Sequence, residues 1–341
     1  MEDNGRKKVK ITVNESRSFS AFPGISLLQA LKDENIFLPS ACGGRGICGL
    51  CRLRVLEGAS ESLTQPELLH LNAAERQNNF RLACQLKVGK NMRVLIPESS
   101  INISQYRAEV ADIRDLTHDI KELTLKLLGP PTISFKSGQY IQLRIPPYPG
   151  NKRIVYRAYS IASPPEENTM IELEVRRVQN GIGTTYIFDY LKKGDPVVFH
   201  GPHGDFFLRD NDKPIVMIAG GSGMAPIKSM LSDMRDRKIK RQIRYFFGAQ
   251  SPADIFYADL MRSLEQALPD FKFIPSVATT RPGEKWAGET GLVTEAVARR
   301  LEEGFQGEAY LCGSPAMIDA CVNILHQKKI ADERIFYDKF A

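Results

Sequence analysis

Six cysteines are the residues of this 341-residue chain with the most evident chemistry. Four of them, Cys42, Cys48, Cys51 and Cys84, follow the pattern C-x5-C-x2-C-x32-C. Three thiols in one loop and a distant fourth are typical of a [2Fe–2S] centre, whereas a zinc site usually presents two short pairs of ligands. The spacing therefore favours an iron–sulfur cluster over a structural zinc loop or reduced, unliganded thiols.

Glycines are interspersed with these cysteines, and residues 42–51 read CGGRGICGLC. A loop that wraps a compact cluster must turn sharply and bring backbone N–H groups close to sulfur, and glycine permits both. Hydrophobic patterning predicts strands over Val9–Val13 and Arg17–Phe22, a helix over Ser26–Glu34 and a strand over Arg52–Glu57. This segment resembles a plant-type ferredoxin, which implies a β-grasp fold with the four cysteines as iron ligands.

A series of short alternating segments begins near Tyr106. Strand-like patterns cover Arg107–Leu116, Lys121–Leu127, Tyr140–Ile145, Arg157–Ile161, Met170–Arg177 and Pro196–His200. Their regular spacing predicts a small antiparallel barrel. In the fourth strand, Arg157 suits a diphosphate, the ring of Tyr159 suits a flat heterocycle, and the Ser160 hydroxyl can donate to a ring nitrogen.

A turn of glycines and hydroxyls follows these strands. Gly181, Thr184 and Thr185 precede a helix predicted over Tyr186–Lys192, and backbone N–H groups at a helix start bind anions. The order of these motifs resembles the FAD domain of the ferredoxin–NADP reductase superfamily. That resemblance implies that FAD is bound by Arg157, Tyr159, Ser160, Glu174, Val175, Arg176, Gly181, Thr184 and Thr185.

From Pro214 onward, strands alternate with helices, which predicts a doubly wound parallel sheet with a nucleotide site at the carboxyl ends of its strands. The first strand runs into a glycine-rich turn whose N–H groups could hold a diphosphate. This turn resembles the NAD-binding turn of the same superfamily. The resemblance implies cofactor contacts from Gly220, Gly221, Ser222, Gly223, Met224, Ala225 and Pro226.

Two positions near the C terminus also match the superfamily. Cys312, Gly313 and Ser314 end the last predicted parallel strand, where the superfamily commonly has Cys-Gly-Pro-Pro facing the nicotinamide. Phe340 matches an aromatic residue that covers the flavin and moves to admit nicotinamide. The resemblance therefore implies catalytic roles for Ser160, Cys312 and Phe340, with Gly313 and Ser314 as further cofactor contacts.

The choice between NADH and NADPH depends on the residues after the second parallel strand. No arginine cluster lies there to receive a 2′-phosphate, and Asp254 would disfavour one. NADH is therefore the expected donor.

Composition argues against several other classes of protein. The hydrophobic share of 43% is ordinary for a globular chain, and the net charge of +6 comes without a lysine block or a basic–aromatic stripe, so nucleic-acid binding is not expected. No apolar run is long enough for a transmembrane segment and no signal peptide follows Met1, so we expect a cytoplasmic protein.

His200 and His203 lack a third ligand at metal-binding spacing and are interpreted as structural.

The resemblance covers nearly the whole chain and implies an α+β multidomain protein. The expected units are a ferredoxin domain over 1–98, a linker over 99–105, an antiparallel FAD-binding barrel over 106–210 and an α/β NAD-binding domain over 211–341. The implied enzyme is an NADH-dependent reductase. Hydride passes from NADH to FAD, and single electrons then pass through the [2Fe–2S] cluster to an acceptor protein.

The acceptor is left open by the sequence. The same domains in the same order occur in soluble reductases of bacterial mono- and dioxygenases, so an oxygenase component is the expected partner. Leu38–Leu86 is also similar to the ferredoxin part of the F subunits of sodium-translocating NADH:quinone reductases, which makes a membrane redox complex an alternative partner. A redox-sensing regulatory protein whose nucleotide site only binds is a further alternative.

Overall fold

Three β-sheets follow one another along the chain. The computed structural model describes residues 7–40, 42–58, 62–97 and 103–340. Each sheet carries its own hydrophobic core, and the last sheet has a core on each face. The predicted α+β multidomain architecture is confirmed.

The first unit is a five-stranded sheet with a helix across it. Its elements are β1 (Val9–Val13), β2 (Arg17–Ala21), α1 (Leu27–Asp33), β3 (Arg52–Glu57), α2 (Gln65–His70), α3 (Ala73–Gln77), β4 (Phe80–Leu82) and β5 (Met92–Leu95). The strand order is β2-β1-β5-β3-β4, and β1 pairs with β5 in parallel. Helix α1 begins where the Ser26 hydroxyl accepts from the N–H of Gln29, and its leucines enter the core. This is the predicted β-grasp topology.

The second unit is a six-stranded antiparallel sheet. Its elements are β6 (Ser104–Asp115), β7 (Ile120–Gly129), β8 (Tyr140–Ile145), β9 (Val155–Ser160), β10 (Met170–Arg176), α4 (Ile182–Asp189) and β11 (Pro196–His203). The order is β10-β7-β6-β11-β8-β9. A bridge between Ile161 and Leu173 brings the end of β9 to the middle of β10, so the two edge strands meet as barrel curvature requires.

Two details of this unit differ from the sequence-based expectation. Helix α4 begins at Ile182, four residues before the predicted start, because the turn of glycines and threonines forms its first turn rather than a separate loop. It ends at Asp189, short of Lys192. Of the predicted linker, residues 99–102 lie outside the described residues, and β6 already begins at Ser104.

The third unit is a parallel sheet of six strands. Its elements are β12 (Ile215–Gly220), α5 (Met224–Asp236), β13 (Gln242–Ala249), α6 (Ala258–Ala267), β14 (Asp270–Val277), β15 (Glu289–Thr290), α7 (Val293–Arg300), β16 (Glu308–Gly313), α8 (Pro315–Gln327) and β17 (Ile335–Lys339). The order is β15-β14-β13-β12-β16-β17. Strand β12 is buried on both faces and reads as a continuous apolar run, as parallel sheets require. Strand β17 was not predicted, since its short, half-polar pattern resembles a tail.

Aromatic stacking joins the first unit to the second. Phe37 stacks on His200 with ring centroids 3.9 Å apart, and Nε2 of Gln142 donates to the carbonyl of Leu38 at 3.3 Å. Nδ1 of His200 lies 2.8 Å from Nε2 of His203. Burial lowers the pKa of His200 to about 2 and that of His203 to about 3, so both rings are neutral at physiological pH and pack as part of this interface.

No helix in the described ranges is long and apolar enough to cross a bilayer.

A buried ion pair fixes helix α2 to the first sheet. The Glu67 carboxylate is fully buried and accepts from Nε of Arg81 at 2.7 Å, from the Leu82 N–H at 3.1 Å and from the Thr64 N–H at 2.8 Å. The pair therefore ties the start of α2 to strand β4, two residues before Cys84.

We expect Glu67→Ala to lower the opening free energy of residues 62–97 by about 3–5 kcal/mol, because the Arg81 guanidinium is left buried without its carboxylate. Hydrogen exchange across these residues in the full chain measures that free energy. The control is Glu57→Ala, which removes an exposed pair with Arg93 and should cost less than about 1 kcal/mol. Equal losses of opening free energy in the two variants would contradict the role of the buried Glu67–Arg81 pair in fixing α2 to the first sheet.

Candidate active site

The four predicted ligand cysteines come together as two pairs. The thiol of Cys48 donates to Sγ of Cys42 at 3.3 Å, and the thiols of Cys51 and Cys84 are also in hydrogen-bonding contact. Two thiols for each of two irons is the donor set of a four-cysteine [2Fe–2S] cluster. Among the described residues, no three His, Cys, Asp or Glu side chains converge as a single metal ion would require.

Hydrogen bonds within each pair favour one thiolate. The Cys48 thiol, aided by backbone N–H groups of the loop, lowers the pKa of Cys42 to about 4. The Cys51 thiol lowers the pKa of Cys84 to about 7, although burial opposes this. The two donor thiols have raised pKa values, because each is held as the proton donor of its pair. Thiolates surrounded by N–H groups suit an anionic iron–sulfur cluster.

Glycines allow the cysteine loop to pack closely on helix α2. Gly46 and Gly49 have φ angles of +77° and +66°, which glycine adopts without strain. A Cβ on Gly49 would lie 2.8 Å from Cβ of His70, and one on Gly46 would lie 3.1 Å from Pro66. Both neighbours belong to α2, so this helix supports the loop directly.

The same loop contacts strand β9. A Cβ on Gly43 would lie 2.6 Å from Nη1 of Arg157 and 3.0 Å from the carbonyl oxygen of Tyr156. Nη1 of Arg157 donates to that carbonyl at 2.8 Å, and Nε of Arg45 donates to the Cys42 carbonyl at 3.0 Å. The predicted cluster loop and the predicted flavin strand are therefore packed against each other.

A cavity of about 530 Å³ opens beside β9, between the second and third units. It brings together most of the predicted cofactor residues. Those on its wall are Arg157, Tyr159, Ser160, Glu174, Arg176, Gly181, Thr184, Gly220, Ser222, Gly313, Ser314 and Phe340. Arg45 of the cysteine loop also lines it, a contact that sequence reasoning missed because no local pattern signals it.

Arg45 of the first unit and Arg157 of the second both line this cavity. Burial and the nearby positive charge of Arg45 lower the pKa of Arg157. A dianionic diphosphate between them would relieve this repulsion, and arginine forks match phosphate oxygens. The pair therefore fits the diphosphate of FAD.

Two buried polar side chains in the cavity wall have no hydrogen-bond partner. They are Oγ of Ser160 and both carboxyl oxygens of Glu174. Because buried polar groups are nearly always bonded, these atoms fit a ligand that supplies donors and acceptors, as a flavin or a nicotinamide does.

Helix α4 closes the cavity without crowding the arginine and the tyrosine. Gly183 sits in its first turn, and a Cβ there would lie 2.7 Å from Cγ of Arg157 and 3.0 Å from the hydroxyl of Tyr159. The Thr184 hydroxyl donates to carbonyls of the preceding turn at 3.2 Å, so it shapes that turn. Thr185 lies outside the cavity lining.

Several other predicted residues lie behind the wall. Val175 packs in the core of the second unit, and Met224, Ala225 and Pro226 are buried in the first turn of α5. Gly223 lies so close to the Cys312 carbonyl that any side chain there would collide with it. Cys312 itself is fully buried, which raises the pKa of its thiol.

A second cavity, of about 600 Å³, lies at the carboxyl ends of β12, β13 and β14. Gly221 lines it, whereas Gly220 and Ser314 line both cavities. Asp254 accepts from the N–H and hydroxyl of Ser251, and its Oδ1 lies 3.3 Å from Nδ1 of His118. A fixed carboxylate here suits ribose hydroxyls and opposes a 2′-phosphate.

The C-terminal strand carries Phe340 to the first cavity. Strand β17 pairs with β16 in parallel, and the N–H of Phe340 donates to the carbonyl of Gly313 at 2.9 Å. The phenyl ring thereby faces the space shared by Ser160 and Gly313.

Family models match all three units of the chain. They are the 2Fe-2S iron-sulfur cluster binding domain over residues 11–89, the oxidoreductase FAD-binding domain over 107–208 and the oxidoreductase NAD-binding domain over 217–323. The F subunit of the Na(+)-translocating NADH-quinone reductase of Methylococcus capsulatus is 34% identical, with 97% of this chain and 91% of that protein covered. The corresponding protein of Yersinia pestis is 32% identical, with 99% and 92% covered.

The chain belongs to the iron–sulfur flavoprotein NADH reductases. Two solved reductase structures are similar to it over nearly its whole length. The Amycolatopsis cytochrome P450 reductase GcoB has 30% identity and a TM-score of 0.78, covering 97% of this chain and 98% of its own. The ferredoxin reductase in carbazole 1,9a-dioxygenase has 26% identity and a TM-score of 0.75, covering 99% and 100%.

Membership of this reductase family confirms the predicted cofactors FAD and [2Fe–2S], the donor NADH and the oxidoreductase activity. When bound, FAD takes up the electron pair of a hydride, and the cluster carries one electron at a time. The roles of individual residues and the domain boundaries remain predictions, supported by the geometry above.

We expect Gly183→Ala to weaken FAD binding about tenfold or more, because the added methyl group displaces Arg157 and Tyr159 from the cavity wall. Titration of the apoprotein with FAD, followed by flavin fluorescence, measures this affinity. Gly89→Ala is the control, since a Cβ there meets nothing within 4 Å. Unchanged FAD affinity in the Gly183 variant would contradict FAD binding against Arg157 and Tyr159.

Proposed function

We propose that this reductase oxidises NADH at the cavity beside β9 and delivers single electrons through its cysteine loop to an oxygenase component. The observation that carries the proposal is the contact of the loop with the flavin strand at Gly43 and Arg157. At this contact the loop predicted to hold the cluster touches the strand predicted to hold the flavin, and no other part of the chain lies between them.

In this proposal each group on the cavity wall has a separate task. Arg157 and Arg45 hold the diphosphate of FAD, and the Ser160 hydroxyl donates to the edge of the flavin ring. The turn after β12 approaches the dinucleotide closely because it is built of glycines. Phe340 covers the ring and excludes water until nicotinamide enters.

An exposed apolar patch marks where an acceptor could dock. Ile47 and Leu50 on the cysteine loop are 52% and 41% exposed, and Leu69 on the adjoining helix α2 is 73% exposed. Cys48, between the two loop residues, is the only one of the four cysteines that is not buried. We name Ile47, Leu50 and Leu69 the loop patch.

The net charge of the first unit, which carries the loop patch, indicates the kind of partner. Residues 7–97 contain thirteen Lys and Arg against seven Asp and Glu. A basic surface with an apolar centre fits an acidic protein with an apolar patch of its own. The oxygenase assignment is supported by the end-to-end match to reductases named for a cytochrome P450 and a dioxygenase.

A second candidate acceptor is a membrane quinone reductase complex. It is favoured by the relatives named as F subunits of such a reductase, which share 34% and 32% of aligned residues with this chain. NADH-driven electron transfer to purified oxygenase components, set against transfer to membrane vesicles containing such a complex, distinguishes the two acceptors.

We expect Cys84→Ser to abolish the visible and paramagnetic signals of the cluster while NADH still bleaches the flavin, because only the iron site loses a ligand. Stopped-flow absorbance and electron paramagnetic resonance measure the two centres separately. Cys321→Ser, in the core of the third unit, should keep both signals. Absence of flavin bleaching in the wild-type protein would instead favour a regulatory protein that only binds nucleotide.

We expect Leu69→Ser to raise the KM for the protein acceptor about tenfold, because loss of an exposed apolar anchor weakens docking. Reduction of ferricyanide by NADH should stay unchanged, since that small oxidant needs no docking surface. Leu128→Ser, a 54% exposed leucine on β7, serves as the control. Equal effects of the two substitutions on the acceptor KM would show that the loop patch is not the docking site.

A further inference from the structure

Glu174 is a buried acid that no protein group satisfies. It lies on β10, its side chain is only 3% exposed, and both carboxyl oxygens lack a partner. Burial raises its pKa well above the usual value, Lys228 opposes this, and Glu122 and Glu172 add to it. An ionised carboxylate without partners is costly in such a place, so burial favours the neutral carboxylic acid form of Glu174.

The charges around Glu174 are already matched to one another. The ammonium of Lys228 donates to Glu172 at 2.7 Å, to Glu122 at 3.1 Å and to the Tyr257 hydroxyl at 3.2 Å. The titratable groups that act on or are affected by Glu174 are Lys228 on α5, Glu122 on β7, Glu172 on β10, Tyr245 on β13, Tyr257 before α6 and Cys312 on β16. None of the bonds formed by Lys228 reaches Glu174.

The barrel closure places Glu174 beside Ser160. The bridge between Ile161 and Leu173 joins the residues next to them in the chain, and both side chains line the same cavity with unpaired polar atoms. Gly313 and Phe340 line the same cavity from the third unit. The unpaired groups of β9 and β10 therefore meet in the cavity that also holds residues predicted to contact the flavin and the nicotinamide dinucleotide.

A neutral carboxylic acid presents one hydrogen-bond donor and one acceptor side by side. A primary carboxamide presents the complementary pair, an acceptor carbonyl and an N–H donor. The diphosphates of the two dinucleotides offer acceptors only, and their oxygens would favour the cationic end of the cavity at Arg45 and Arg157.

We propose that Glu174, in its neutral form, binds the carboxamide of the nicotinamide: its hydroxyl donates to the amide carbonyl, and its carbonyl accepts from the amide N–H. Glu174 is then a positioning residue that fixes the rotation of the nicotinamide ring against Ser160. The inference rests on the proposed function, in which NADH is oxidised in this cavity and nicotinamide enters where Phe340 covers the ring.

The test compares Glu174→Gln with Glu174→Leu in the FAD-loaded, cluster-containing protein. Glutamine keeps a neutral donor and acceptor, whereas leucine fills the space without either. The probe is 1,4,5,6-tetrahydro-NADH, which retains the carboxamide and transfers no hydride, and its dissociation constant is measured by calorimetry. We expect glutamine to stay within about threefold of wild type and leucine to weaken binding about tenfold or more.

Two controls make the result specific. ADP-ribose lacks the nicotinamide, so its affinity should be the same in all variants. Glu172→Gln changes the neighbouring acid on the same strand, which is paired with Lys228 and lies outside the cavity lining, and it should leave the affinity for tetrahydro-NADH unchanged.

The pH dependence gives an independent readout. Because the proposed bond needs the protonated acid, wild-type affinity for tetrahydro-NADH is present below the raised pKa of Glu174 and falls as pH rises through it. The Glu174→Gln protein should show no such fall, since its amide does not titrate. The Glu172→Gln protein should retain the fall but at a lower pH, because the negative charge of Glu172 contributes to the raised pKa of Glu174.

Wild-type affinity for tetrahydro-NADH in Glu174→Leu, or an equal loss of ADP-ribose binding, would overturn the proposal. A loss confined to FAD affinity in Glu174→Leu would overturn it as well, and would place the acid against the flavin. Failure of NADH to bleach the wild-type flavin is a separate outcome, which rejects the proposed function and not merely the role of Glu174.

Discussion

The packing of the cysteine loop against strand β9 is the contact on which the rest of the arrangement depends. Electrons pass efficiently only between closely spaced centres, so the first unit must approach the second more closely than ordinary side chains allow. Gly43 meets this requirement because the Arg157 guanidinium and the Tyr156 carbonyl occupy the space that a Cβ would need. Arg157 therefore serves both the domain contact and the cavity wall.

Polar groups are matched almost everywhere else in the interior that the structure describes. Arg81 pairs with Glu67, Arg241 with Glu308, and Lys228 with two glutamates. Against that background, the unpaired atoms fall in two places: the cavity wall and the contact between the first and second units, where His200 and Gln142 lie. Both places adjoin the proposed electron path, and in the cavity the missing partners correspond to what the cofactors supply.

Local sequence patterns predicted the parts of the molecule whose chemistry depends on near neighbours. The spacing of Cys42, Cys48 and Cys51, and the alternation that places Arg157 and Tyr159 on one face of a strand, follow from short-range geometry. Most strands of the three sheets followed from hydrophobic periodicity, although the short strands β4, β5 and β15 did not. Strand β17 did not, because its five residues gain their structure only by pairing with β16.

The missed features depend on contacts between distant parts of the chain. No local pattern marks Arg45 as a cavity residue, and it reaches the cavity only because the first unit folds onto the second. The lack of a partner for Glu174 could not be foreseen, since it requires knowing that Lys228 is already occupied by Glu122 and Glu172. The early start of α4 followed from Gly181–Thr185 forming helix rather than an open loop.

The support of the cysteine loop by helix α2 has a practical consequence for handling the protein. Pro66 and His70 pack on the glycines between the sulfur ligands, so fraying of this short helix would remove the support of the loop without touching the cavity wall on β9 and β10. A protein damaged only there would lose the absorbance of its cluster before that of its flavin, and it would keep NADH oxidation in dye assays after it had stopped serving a protein partner.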